Sequence, residues 1–167
     1  MVWLRSGKRE LGASMPIGIC TLVSVHVRRG DYRDIPHDQM PWFRLVPVEW
    51  YLDLLRSIWP TLCNPVLFVA TDEPASIIHE FREFAPISAS GELLASMPTH
   101  VIDFEIMRRS DVLAICNSSF SRMAALLASP RQTCFIPDFA EKRFAPYDSW
   151  SDRHFWRRFG KAPQASS

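Results

Sequence analysis

The stretch SVHVRRGDYRD, residues 24–34, joins an apolar run to a cluster of charged side chains. The run it completes, IGICTLVSVHV (17–27), is rich in β-branched residues, which is typical of a strand buried on both faces. Polar residues directly after such a strand lie at its carboxyl end, where open α/β sheets bind their ligands. The junction therefore predicts a buried first strand and a ligand site beside it.

The rest of the chain alternates between helix-like and strand-like segments. Prolines stand at two of the predicted helix starts, and apolar residues recur at helical spacing. The predicted elements are a helix from Pro47, a strand over 64–71, a helix from Pro74, a helix over 101–110, a strand over 111–117, a helix over 118–128 and a last strand over 132–137. This alternation predicts an α/β fold with a Rossmann-like, doubly wound parallel sheet.

Length and composition indicate one folded domain. The chain has 167 residues, of which 47% are hydrophobic, enough to form a core. We expect an N-terminal extension over 1–16, a Rossmann-like domain over 17–160 and a disordered tail over 161–167. Within the domain, RHFWRRFG (153–160) predicts a C-terminal helix that packs its aromatic residues on the sheet.

Charge and cysteine spacing exclude several kinds of partner. The net charge of +1 lacks the basic excess typical of nucleic-acid binding, and the apolar run at 17–27 is too short to span a membrane. The four cysteines show no CxxC pair and no zinc-ligand spacing, so no metal site is expected. We interpret Cys20, Cys63, Cys116 and Cys134 as reduced core residues of a cytoplasmic protein.

Three groups of polar residues follow the predicted strands. They are Arg28, Arg29 and Asp31 after the first strand, Thr71, Asp72 and Glu73 after the second, and Asn117, Ser118 and Ser119 after the third. Because the carboxyl ends of parallel strands meet at one edge, all three groups should face one crevice. The guanidinium group of arginine binds diphosphate oxygens through two N–H groups, and serines at a helix N-terminus complement negative charge. Neither a dinucleotide fingerprint nor a P-loop is present.

Structural interpretations of the same residues remain open. His26 alternates with buried valines, so it is either a core histidine or a ligand contact. Asp103 is either a ligand contact or a carboxylate that stabilises the first turn of a helix. Ser118 and Ser119 could cap a helix, a role compatible with phosphate binding. Asp72 could be an ordinary turn residue.

HVRRGDY resembles the H-x-R-R-x-D signature of the fucosyltransferase superfamily, which includes α-1,2- and α-1,6-fucosyltransferases. Three further segments, in order along the chain, are similar to the same superfamily: PVEWY, VLFVATDEP and VIDFEIMRRSDVLAICNSSFSRMAALL. The similarity extends over residues 18–137. It implies transfer of L-fucose from GDP-fucose to a glycan hydroxyl with inversion, without a metal or other cofactor.

The resemblance also implies roles for individual residues. Arg28, Arg29 and Asp31 match the catalytic motif, with Arg28 on the β-phosphate of GDP-fucose. Asp103 matches the aspartate that reads guanine. The remaining donor-binding positions are His26, Asp72, Glu73, Ser118, Ser119 and Phe120.

Two departures from the superfamily pattern bear on activity. Pro36 occupies a position that is acidic in the α-1,6 branch, which leaves Asp34, His37 and Asp38 as candidate general bases. Only 23 residues precede residue 24, whereas these enzymes have two Rossmann-like halves and the motif opens the second. We therefore expect a donor-binding half whose missing acceptor half comes from a partner chain or self-association. The alternative is a non-catalytic nucleotide-sugar-binding or interaction domain.

Overall fold

The computed structural model describes residues 20–35, 43–89 and 97–152. Their centre is a five-stranded sheet. The strands are β1 (Leu22–Val27), β2 (Val66–Thr71), β3 (Val112–Ala114), β4 (Thr133–Asp138) and β5 (Arg143–Pro146). Their order in the sheet is β2-β1-β3-β4-β5; β1 to β4 pair in parallel, and β5 pairs antiparallel with β4. The fold is a Rossmann-like α/β fold with a mostly parallel sheet.

Helices cover both faces of this sheet. Two apolar clusters, one on each face, form the core. The helices are α1 (Val48–Ile58), α2 (Pro74–Ile77), which continues as a 3-10 helix over Ile78–Phe84, α3 (Thr99–Arg109) and α4 (Ser119–Leu126). Val25 at 0% exposure lies in the cluster with α1, while Phe68 at 1% lies in the cluster with α3 and α4. The sheet is therefore doubly wound, as predicted.

The strand order places the change of direction of the chain between β1 and β3. From β1 the chain crosses to β2 on one side, and it then returns past β1 to form β3 on the other. In doubly wound sheets, a crevice opens at this switch point, outside the carboxyl ends of the two strands. The residues after β1 and β3 therefore line the position at which such folds bind ligands.

Several elements differ from their predicted form. The antiparallel strand β5 was not predicted; Asp138 builds the preceding turn by accepting hydrogen bonds from the backbone N–H groups of Ala140 and Glu141 at 2.9 and 3.1 Å. The helix predicted from Pro74 is α-helical for four residues only. The predicted first strand begins at Leu22, and its residues 17–19 lie outside the described residues.

The cysteine prediction was wrong in part. Cys116 and Cys134 are buried, but Cys63 is exposed because it lies in the loop before β2, and Cys20 is only half-buried. The predicted extension over 1–16, the helix over 153–160 and the tail over 161–167 lie outside the described residues. Among the residues described, no helix is long and apolar enough to cross a membrane.

Candidate functional site

Arg28 lies directly after β1, between two carboxylates. Its Nε and Nη2 donate to Oδ1 of Asp31 at 3.1 and 2.8 Å, and its Nη1 lies 3.3 Å from Oδ2 of Asp72. Burial works against the charge of Arg28, but the hydrogen bond to Asp31 and the charge of Asp72 outweigh it and raise the pKa of Arg28. The guanidinium is thus permanently charged, oriented from two sides and one-third exposed.

Asp72 also fixes the backbone of the arginine pair. Its Oδ1 accepts a hydrogen bond from the Arg29 N–H at 3.0 Å, so one carboxylate holds both arginines against the end of β2. Gly30 permits this arrangement, because a Cβ at that position would clash with Oδ2 of Asp72. The short 3-10 helix Gly30–Arg33 then turns the chain away from the sheet. Asp72 therefore does not only end β2 as a turn residue; it also binds the residues that follow β1.

The Arg29 side chain differs from that of Arg28 in having no bound carboxylate. Among the described residues, its guanidinium has no ion-pair or hydrogen-bond partner. It lies near α1, since burial raises the pKa of Tyr51 well above its usual value and the charge of Arg29 opposes that shift. Arg29 is half-buried, and its positive charge lies at the switch point between β1 and β3.

His26 is buried behind the arginines. Its Nδ1 lies 3.2 Å from the Cys116 sulfur, and its ring centroid lies 5.6 Å from that of Phe120. Burial and the neighbouring Arg28 lower the pKa of His26 to about 4, although Asp72 opposes the shift, so the ring is neutral at pH 7. Burial raises the pKa of Cys116 to about 11, which keeps the thiol protonated. His26 therefore connects β1 to the loop after β3.

The third group of predicted residues begins α4. Ser118 is the N-cap of α4, and its hydroxyl accepts a hydrogen bond from the Phe120 N–H at 3.2 Å, as expected of a capping serine. Ser119 follows in the first turn and is exposed, with a hydroxyl that has no partner among the described residues. Asn117 binds the carbonyl of Arg44 at 3.2 Å and so fixes the chain before α1 beside the crevice.

Glu73 and Asp103 lie apart from the arginine pair. Glu73 binds Arg33 at 2.6 Å rather than Arg28 or Arg29. Asp103, on α3, is 8% exposed and lines a cavity of about 20 Å³ with Thr71 and Thr99. Burial alone raises the pKa of Asp103 to about 6, and its carboxylate has no partner among the described residues. The cavity has room for one water molecule, so contact with a purine requires it to widen.

The structure thus brings His26, Arg28, Arg29, Asp31 and Asp72 together, with Phe120 and the α4 N-terminus beside them. Two further residues of this site were not identified from the sequence. Tyr32 is buried with its ring 5.8 Å from the Arg28 guanidinium, and Gly30 admits the Asp72 carboxylate. Both stand inside RRGDY, so the motif itself was the available signal. Pro36, His37 and Asp38 lie outside the described residues, whereas Asp34 is exposed.

The described residues contain no group of three histidine, cysteine or acidic side chains that could hold a metal ion. A cavity of about 210 Å³ lies between α1 and β5.

Comparison with known proteins gives a similarity of fold. No family model matches the chain. No curated protein matches its sequence. Among solved structures, the chain is similar to NodZ α-1,6-fucosyltransferase, in a crystal soaked with GDP-fucose, at a TM-score of 0.51 and 14% identity. The match covers 77% of this chain and 42% of the NodZ chain, so the chain spans less than half the length of that enzyme. The protein therefore has a fold similar to that of part of this fucosyltransferase.

Proposed function

We propose that this chain is the GDP-fucose-binding half of a fucosyltransferase-type glycosyltransferase. The observation that carries the proposal is the position of Arg28 and Arg29 at the switch point, beside the N-terminus of α4. A diphosphate placed there would meet two guanidinium groups on one side and free backbone N–H groups on the other. The fold similarity to NodZ and the HVRRGDY motif support GDP-fucose as the donor.

In this proposal, each arginine has a separate task. Arg28, held by Asp31 and Asp72, is oriented before the donor arrives, which avoids reorganisation during the reaction. Arg29 supplies the uncompensated positive charge that attracts the diphosphate. Ser119 and the backbone N–H groups of the first turn of α4, other than that of Phe120, which Ser118 accepts, bind the remaining phosphate oxygens.

The reaction would be a displacement at the anomeric carbon of fucose. The bond between that carbon and the β-phosphate oxygen breaks, and its electron pair leaves with GDP, where Arg28 stabilises the added charge. The acceptor hydroxyl oxygen forms the new bond from the opposite face, which inverts the configuration. Its proton passes to a carboxylate or to the departing phosphate.

The proposed site for the base of GDP is beside Asp103. A carboxylate accepts hydrogen bonds from the adjacent N–H groups on the edge of guanine, which adenine and uracil do not present in the same pattern. Asp103 has no competing partner among the described residues, and burial would strengthen such a contact. His26 would act indirectly, through its contact with Phe120.

A second candidate is a nucleotide-sugar-binding domain without activity. It is favoured by the two carboxylates at Arg28, because they compete with an incoming phosphate for the same guanidinium. One assay tests both candidates: incubation with GDP-fucose and a mixture of oligosaccharides, followed by measurement of bound GDP-fucose, of released GDP and of fucosylated product. Transfer supports the enzyme. Selective GDP-fucose binding without transfer fits the binding domain and also a donor half that lacks its acceptor half, and absence of binding rules out both.

A further inference from the structure

A second pocket lies beside the same edge of the sheet as the arginine pair. This α1–β5 pocket has a volume of about 210 Å³ and apolar walls formed by Trp50, Leu54 and Phe144. Phe144 is buried, whereas Trp50 and Leu54 are partly exposed. The volume is below the usual range for drug-sized ligands, roughly 300–1,000 Å³, so the pocket suits a single small ring.

Charged groups surround the mouth of this pocket. Lys142 and Arg143 line it, and neither side chain has an ion-pair or hydrogen-bond partner among the described residues. Of the described residues, Asp53 is the only acidic one that lines it, and its carboxylate lies 3.4 Å from Arg56. Two positive charges are thus available to a ligand, and Asp53 offers a hydrogen-bond acceptor beside them. The pocket therefore favours a ligand with an anionic group and with a ring that carries hydrogen-bond donors.

The turn between β4 and β5 fixes the position of Lys142. Its φ of 52° is in the left-handed region, which a lysine adopts at a cost of about 1 kcal/mol or more. Here Asp138 enforces the turn by binding two backbone N–H groups, and the turn brings Lys142 to the mouth of the pocket.

Position connects the pocket to the proposed donor site. The turn between β4 and β5 follows the carboxyl end of β4, so it lies at the edge that also carries the arginine pair. Three strand spacings separate β1 from β5, roughly 14 Å. Aromatic and polar contacts fill the interval: Asn117 binds the Arg44 carbonyl, the Arg44 guanidinium lies 5.1 Å from the Phe139 ring, and Phe139 lies 5.3 Å from Trp50.

We infer that the α1–β5 pocket binds a sugar residue carrying an anionic group, as an outlying part of the glycan acceptor. The sugar ring packs on Trp50 and Phe144, its anion binds Lys142 and Arg143, and its hydroxyl groups reach Asp53. The assignment to an acceptor rests on the proposed function, whereas the binding of an acidic sugar can be measured without it.

The test is a titration of the isotope-labelled chain with sodium glucuronate, followed by ¹H–¹⁵N correlation spectra. We expect shifts at the Lys142 and Arg143 amides and at the Trp50 indole N–H. Glucose presents the sugar ring without the anion, and sodium acetate presents the anion without the ring. Each should bind about tenfold more weakly than glucuronate, because it loses one set of contacts. Inorganic phosphate tests for a free-anion site: equal or stronger shifts with phosphate would overturn the sugar assignment.

Variants locate the binding. Replacing both cations (Lys142→Met with Arg143→Met) should weaken glucuronate binding about tenfold or more. The control is Arg131→Met, which removes an exposed arginine at the opposite end of β4 and should change nothing. Unaltered glucuronate affinity in the double variant overturns the inference, and the same spectra establish that it is folded.

A parallel titration with GDP separates this inference from the proposed function. If GDP binds and glucuronate does not shift these signals, the pocket assignment fails and the proposed function stands. If glucuronate binds and GDP does not, the pocket stands and the proposed function fails. If both bind, Arg28→Ala should abolish only the GDP response.

Discussion

The Asp72 carboxylate holds Arg28 with one oxygen while its other oxygen accepts the N–H of the next residue in the chain. A side chain at the end of β2 therefore fixes both the orientation of the guanidinium and the path of the backbone after β1. The site depends on this connection between two neighbouring strands, since the 3-10 helix that follows is short and its N-terminus has no side-chain cap.

Gly30→Ala should disrupt this connection. The added methyl group clashes with Oδ2 of Asp72, which must rotate away from Arg28. We expect a loss of about 1–3 kcal/mol in the free energy of unfolding, measured by urea denaturation. Asp72→Ala removes the clashing atom, so Gly30→Ala should cost much less in that background. Equal costs in both backgrounds would contradict the proposed contact.

Arg28→Lys should fail to replace the arginine. A guanidinium reaches Asp31 and Asp72 at once through three nitrogens, whereas an ammonium group has one. We expect GDP binding to weaken about tenfold or more, measured by calorimetry, although the charge is retained. Arg56→Lys, at an exposed position of α1, is the matched control. Wild-type affinity in Arg28→Lys would show that only charge matters.

Tyr51→Phe tests the support behind the site. The Tyr51 hydroxyl donates to the His26 carbonyl at 2.8 Å, and the residue is fully buried. Its loss leaves that buried carbonyl without this donor, so the free energy of unfolding should fall by about 1–3 kcal/mol. Thermal and urea unfolding measure the change. A neutral effect would indicate that the carbonyl has another donor.

The pKa of Asp103 predicts an unusual pH dependence of stability. Burial raises its folded-state pKa to about 6 from an ordinary value near 3.8, so the folded protein binds this proton more tightly than the unfolded chain. Its contribution to stability therefore falls as the pH rises from about 4 to about 6. Asp103→Asn should increase the free energy of unfolding by about 1–2 kcal/mol at pH 8 and change it little at pH 4.

The same ionisation should govern base selectivity. Only the charged carboxylate accepts two hydrogen bonds from guanine, so the ratio of GDP to ADP affinity should rise between pH 5 and pH 7. The ratio cancels the titration of the phosphates, which both nucleotides share. In Asp103→Asn the ratio should be independent of pH. A pH-dependent ratio in that variant would assign the effect to another group.

The sequence predicted the parts of the fold that depend on local pattern. The β-branched runs identified β1 and β2, and Ser118 marked the start of α4. Strand β5 was missed because RFAP is short, contains a proline and shows little alternation. Its pairing depends on the turn built by Asp138, which is set by side-chain geometry rather than by periodicity.

For the candidate site, the sequence predicted which residues lie at one edge of the sheet, but not their contacts or burial. Because the carboxyl ends of parallel strands meet at one edge of a sheet, Arg28 and Asp72 were predicted to lie at the same edge, and they are in contact there. The position at this edge could not distinguish Arg28, bound by two carboxylates, from Arg29, whose guanidinium has no partner in the described part of the chain. The burial of Asp103 also depends on how α3 packs against β2, which no local pattern specifies.

The most direct test of the central claim is calorimetric titration of the chain with GDP-fucose and GDP, with UDP and ADP as controls. The account predicts selective binding of the guanine nucleotides, lost in Arg28→Ala and retained in Arg56→Ala. Absence of binding at millimolar nucleotide, or unchanged binding in Arg28→Ala, would contradict it.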